Sequence, residues 1–216
     1  MANSSSKEKI LKKIRKALSE STPLPFPQSE GSANIYHAPA EDPVYQFAEE
    51  FSKLQGKFAF CMDEGEMLAG VVGLCRSRSW ERIFCKEPAL QALLRVAEIP
   101  LNEELSLRDA DVSITSCESL VSRTGTIVVS SAQHDGRTAS VYAPFHICIA
   151  YTDQVVYEVR DALKLLKDKY AGQIPSLVSF ASGPSRTADI EKTLVVGVHG
   201  PAEVYVFLID RQPVGV

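Results

Sequence analysis

A chain of 216 residues, 45% hydrophobic and 23% charged, has room for one domain with a sizeable core and is neither disordered nor fibrous in composition. A net charge of −4 argues against a general nucleic-acid binder, which would present a basic face. No apolar run is long enough to span a bilayer, and the polar start Met1-Ala2-Asn3-Ser4-Ser5-Ser6 lacks the apolar centre of a signal peptide, so the expected compartment is the cytoplasm.

Ser5-x-x-Glu8 has the form of a capping box, and Ile10, Leu11, Ile14 and Leu18 follow at helical spacing. Lysines fill the other face of this first helix. It reads either as a docking helix for a partner or, more simply, as a helix packed on its own domain. Residues 20–43 then hold Pro23, Pro25, Pro27, Pro39 and Pro43 among Ser and Gly, a linker composition. The expected organisation is an N-terminal helix and linker over 1–42 and an α/β domain over 43–216.

From there the chain alternates. The pattern predicts helices over 44–54, 64–75, 88–96 and 157–170, the third with Pro88 in its first turn. It predicts strands over 57–61, 82–85, 111–115, 125–130, 147–151, 177–181 and 203–209. Alternation of this kind means an α/β fold of three layers, α/β/α, with a mostly parallel sheet between helices. The strands between 111 and 151 have no helix between them and call for an antiparallel or mixed section.

The stretch Ser182-Gly183-Pro184-Ser185-Arg186-Thr187-Ala188-Asp189-Ile190-Glu191 reads as a turn from the strand at 177–181 into a helix over 188–194. Ser185 or Thr187 would cap that helix, with Asp189 and Glu191 early in it. Gly183 would let the backbone approach a ligand, and Arg186 would offer a planar cationic fork to a carboxylate or phosphate. A tight, well-capped turn explains the same residues without a ligand. Thr124-Gly125-Thr126 offers two hydroxyls and backbone N–H groups to an anion, or a β-bulge with its glycine. His199, between Gly197 and Gly200, is accessible for a role as acid, base or ligand donor. His146, just before the strand at 147, is a secondary candidate, although a lone histidine is more often a structural hydrogen-bonder. His134 reads as part of a solvated loop.

The five cysteines, Cys61, Cys75, Cys85, Cys117 and Cys148, include no Cys-x-x-Cys pair, and the four histidines form no metal motif. Neither a disulfide framework nor a metal or cluster site is expected, and no cofactor is. Cys61, Cys85 and Cys148 read as core residues, Cys117 as one in a more polar setting. Dinucleotide, P-loop and nucleophile-elbow motifs are absent.

Thr124-Gly125-Thr126 before a β run, Pro144-Phe145-His146 before the next, Gly183-Pro184-Ser185-Arg186-Thr187-Ala188-Asp189-Ile190-Glu191, and Gly197-Val198-His199-Gly200-Pro201 before a terminal strand together resemble the LUD domain family, in its lactate-utilisation protein C branch. The resemblance covers roughly 43–210. It implies a fold like the NagB, ribose-phosphate isomerase and coenzyme A transferase group. It also implies a part in oxidising L-lactate to pyruvate beside iron–sulfur partner subunits, with this chain as an accessory. The family usually carries Ala-Glu-Thr-Gly-Thr where this chain reads Ser122-Arg123-Thr124-Gly125-Thr126, so a cation stands in place of a carboxylate. Glu118 could substitute if its loop folds back. Two other readings stay open: a stand-alone enzyme on a phosphorylated sugar or coenzyme A ester, and a regulatory module that senses a small carboxylate. A small anion is the expected ligand in each.

Overall fold

Residues 6–19, 42–102, 104–187 and 195–211 are described by the structure, a computed structural model, and the chain divides into two units, 1–38 and 39–216. In the first unit lies helix α1 (Ser6–Ser19), whose Ile10, Leu11 and Ile14 are exposed. In the second unit come α2 (Pro43–Lys53), β1 (Lys57–Cys61), α3 (Glu64–Arg78), β2 (Ile83–Phe84), α4 (Pro88–Val96), β3 (Val112–Thr115), β4 (Ser119–Val121) and β5 (Thr126–Ser130). There follow α5 (Ala139–Tyr142), β6 (Phe145–Tyr151), β7 (Val155–Val156), α6 (Val159–Lys169), β8 (Val178–Ala181), β9 (Arg186–Thr187), β10 (Val195–Val196) and β11 (Glu203–Ile209). No helix among the described residues is long and apolar enough to cross a membrane.

Side-chain caps start the first two helices of this unit. Asp42 accepts from the N–H groups of Val44 (2.9 Å) and Tyr45 (3.2 Å), with Pro43 in the first turn where its missing N–H costs nothing. Asp63 accepts from Glu66 N–H at 2.8 Å, and the Glu66 carboxylate reaches back to Met62 N–H at 2.8 Å.

The class is α/β with a mostly parallel central sheet. Five parallel strands lie in the order β1-β11-β6-β3-β2. β6 and β11 are central and buried on both faces, which is why they read as continuous apolar runs with no alternation. On one face Ile114, Ile147, Ile149 and Phe207 pack with Met67 and Val71 of α3 and Leu94 of α4. On the other, Cys148, Val206 and Leu208 pack with Phe47 and Phe51 of α2 and with Leu120 and Ile127 of a second sheet. That sheet has the order β7-β4-β5-β8, and α6 covers its far side through Ala162 and Leu166.

The mixed section expected between 111 and 151 is thus divided. β3 and β6 join the central sheet, while β4 and β5 form an antiparallel hairpin of the second one. The last long helix begins at Val159 and not at 157, because β-branched Val155 and Val156 pair with β4. Arg186 and Thr187 are extended and pair antiparallel with Val196 and Val195 in a two-stranded ribbon. The helix expected over 188–194 lies outside the described residues.

Candidate functional site

The hydroxyl and glycine motifs converge, and what they surround is the C-terminal turn of α2. Gly125 has φ +53°, and a Cβ there would stand 2.5 Å from Phe51 N. Gly183 has φ +81°, and a Cβ there would stand 2.7 Å from the Leu54 carbonyl oxygen. The Arg186 guanidinium donates to that same carbonyl. A helix C-terminus carries unpaired carbonyls and a partial negative charge, so it takes a cation readily. Thr126 Oγ1 lies 2.8 Å from Thr124 Oγ1 and 2.7 Å from Ser182 Oγ, so these hydroxyls satisfy one another.

Segments 182–187 and 197–201 are joined by Ser185, whose N–H donates to Pro201 O (2.9 Å) and whose carbonyl accepts from Gly197 N–H (3.0 Å). β8 and β11 belong to different sheets, so the join comes from this backbone pairing and the β9–β10 ribbon. Gly200 sits against Ser185, where an added Cβ would meet the Ser185 Cβ at 3.0 Å. His199 is exposed and, with Val141, Tyr142 and Val198, lines a cleft of about 360 Å³. Asp189 lies outside the described residues.

His146 is the second residue of β6 and is buried, with Nε2 2.9 Å from Thr115 Oγ1. Burial lowers its pKa to about 4, so the ring is neutral at neutral pH. All five cysteines are free and buried, Cys117 included; it packs with Leu120 and Cys148 in the core. Among the described residues no group of His, Cys, Asp and Glu is placed to hold a metal ion.

A second constellation lies where β3, β6 and β11 end, the edge at which open α/β sheets place ligands. The Glu118 side chain is 2% exposed. Its carboxylate accepts from Ser130 Oγ (2.6 Å), Tyr170 OH (2.8 Å) and Lys169 Nζ (2.7 Å). Burial alone would raise the carboxyl pKa, but the bonds from Lys169, Ser130 and Tyr170 outweigh it and hold Glu118 below the ordinary carboxylate range. Burial works against the Lys169 ammonium too, and the bond to Glu118 outweighs that and raises it.

Glu118 and Lys169 border a cleft of about 400 Å³, with Tyr151, Gln154 and Arg211 also in its lining. The Arg211 guanidinium lies 3.6 Å from the Tyr151 ring centroid and 3.2 Å from the Asp153 carboxylate. Behind Glu118, Ser130 N–H donates to Gln133 Oε1 (2.9 Å), Gln133 Nε2 donates to Ser116 Oγ (2.9 Å), and Ser116 Oγ donates to Glu87 (2.5 Å). The lining holds two ion pairs, Glu118 with Lys169 and Asp153 with Arg211, beside apolar Leu165 and Leu166, so a small polar acid that displaced either carboxylate would meet a cation there. Lys169, Tyr170 and Arg211 escaped the sequence reading because they come together with Glu118 only through tertiary packing; Lys169 is 51 residues from it.

Glu118 does not fold back on Thr124-Gly125-Thr126. It precedes β4 and pairs near Ser130, while the triplet follows β4 at the other end of the hairpin. Arg123 instead pairs with Glu158 at 2.7 Å.

The LUD domain model matches residues 44–209. Lactate utilization protein C of Shouchella clausii is 35% identical over 104 residues, covering 48% of this chain and 45% of that protein. Lactate utilization protein C of Bacillus subtilis is 35% identical over 105 residues, covering 47% and 44%. The chain spans about half the length of the curated relatives it matches. A crystal structure of a DUF162 family protein from Deinococcus radiodurans has the same fold, with a TM-score of 0.60 and 21% identity over 77% of this chain and 96% of that one. With the family model matched over residues 44–209, which hold both the central and the second sheet, this protein belongs to the LUD domain family.

Proposed function

We propose that the chain serves lactate utilisation as an accessory subunit, working with iron–sulfur partner proteins in the oxidation of L-lactate to pyruvate. The observation that carries this reading is its likeness to lactate utilization protein C within a LUD domain. Converting lactate to pyruvate releases two electrons and two protons. The electrons would pass to the iron–sulfur partners, and this chain would hold the small carboxylate. The cleft at the strand ends is the proposed place: Arg211 offers a planar fork to the carboxylate, Lys169 a second positive charge, and Glu118 an acceptor for a hydroxyl.

A second site within the same reading is the 182–201 cluster, favoured by the backbone bonds that tie Ser185 to Gly197 and Pro201. There Arg186, Ser185, Thr187 and His199 would take a carboxylate or phosphate ester. One experiment separates these readings. L-lactate, pyruvate, a sugar phosphate and coenzyme A are titrated by calorimetry into the full chain and into Arg211→Met and Arg186→Lys, beside co-purification with the partner proteins. Lactate or pyruvate binding lost in Arg211→Met supports the strand-end cleft; loss in Arg186→Lys moves the site to the second cluster. Preference for a sugar phosphate or coenzyme A favours a stand-alone enzyme. No binding and no captured cluster-bearing protein would remove the lactate reading.

A further inference from the structure

Helix α1 has an apolar arc and a cationic remainder. Ile10, Leu11 and Ile14 are 58%, 40% and 47% exposed. Lys7, Lys9, Lys12, Lys13, Arg15 and Lys16 face a single acid, Glu8. At about 100° per residue, Lys13 and Arg15 fall on the two borders of the arc that holds Ile10, Leu11 and Ile14, Lys9, Lys12 and Lys16 fall opposite it, and Lys7, in the first turn, falls at the N-terminal end of the arc itself. The helix therefore carries an excess of five positive charges within a chain whose net charge is −4.

We infer that α1 lies in the headgroup plane of an anionic lipid surface and tethers the chain there, with Ile10, Leu11 and Ile14 toward the acyl chains. A helix of 14 residues is about 21 Å long, too short to cross a bilayer, so it lies on the surface and does not span it. A groove on a protein uses the anchors and the charges at its walls, and leaves cations on the far side of the helix idle. An anionic surface attracts every cation within a Debye length and needs no shape match to three aliphatic side chains. Bordering cations such as Lys13 and Arg15 reach the headgroups while their stems stay over apolar surface. The rest of the chain is acidic and gains nothing from such a surface, which leaves α1 as the contact.

The test is sedimentation of the full chain with phosphatidylcholine vesicles and with vesicles half phosphatidylglycerol, at about 0.05 M and about 0.5 M salt. Binding is expected to the anionic vesicles alone and to fall at the higher salt. Ile10→Glu/Ile14→Glu and Lys12→Glu/Lys16→Glu should each lower partitioning by about tenfold or more, because each lysine near the surface contributes about a factor of five and the isoleucines supply the apolar contact. Thermal unfolding of both variants checks that the α/β unit is unaltered. No binding to anionic vesicles at low salt overturns the inference, as does unchanged binding by Ile10→Glu/Ile14→Glu. Capture of the iron–sulfur partners through α1 while the vesicles are ignored would make α1 a protein interface and overturn it equally.

Discussion

The Arg123 guanidinium lies 2.7 Å from the Glu158 carboxylate, whose side chain is 5% exposed at the start of α6. The pairing gives Arg123 a local role: a buried acid needs a cation. Arg123→Glu should lower stability by about 2–3 kcal/mol in urea unfolding, since two carboxylates would then meet. Adding Glu158→Gln should recover part of that loss. A single variant as stable as the parent would mean that Glu158 finds its compensation elsewhere.

Gly125 and Gly183 combine positive φ with backbone of α2 inside 3 Å of the missing Cβ. Gly125→Ala and Gly183→Ala should each cost about 2–4 kcal/mol, more than the left-handed conformation alone would. Arg186→Met should cost about 1 kcal/mol, the loss of a cation at a helix C-terminus. Chemical denaturation with circular dichroism reads all three; a Gly125→Ala cost below that of Arg186→Met would refute the ordering.

His146 titrates at about 4 because it is buried, against an ordinary 6.5. Its folded pKa is depressed, so the unfolded chain takes the proton first as pH falls. The contribution is fully present above 6.5 and is lost as pH falls towards 4, by about 3 kcal/mol in all. His146→Gln should flatten the stability curve in this window while leaving Thr115 a hydrogen-bond partner. An unchanged slope between those two values would mean the folded imidazole protonates as readily as a free one.

Glu118 belongs to a lower window. Its depressed pKa makes its contribution present above the ordinary 4.5 and lost as pH falls through its folded value. Glu118→Gln should cost about 2 kcal/mol at neutral pH, and the gap from the parent should close in acid below 4.5. A gap that stays constant from neutral pH into acid would show that shape, not charge, is what the pocket needs.

The long runs were legible: 57–61, 147–151 and 203–209 stand in the structure as β1, most of β6 and β11, the last two because strands buried on both faces need unbroken apolar sequence. β4, β7 and α5 were missed, being two to four residues long and stabilised by pairing and not by pattern. The donors of 182–187 were legible as donors. What they meet is not: Arg186 and Gly183 suit an anion, and the carbonyl end of α2 presents the same partial charge without any ligand. The Glu118–Lys169 pair was illegible for a different reason, since it depends on how α6 settles over the second sheet.

Among the described residues β1 has one neighbour in its sheet, β11, and Lys57 stands opposite Tyr205, 148 positions later. Ribosomes add about 5–20 residues per second, so β1 waits roughly 7–30 s for its partner to be made. From residue 151 until β11 is made, β6 also lacks that neighbour. A nascent chain stalled before residue 203 therefore exposes two unpaired parallel edges flanking the slot that β11 fills, with Phe58 and Phe60 on one of them. Vectorial synthesis makes this the state most open to intermolecular strand pairing, and the one in which a chaperone has most to cover.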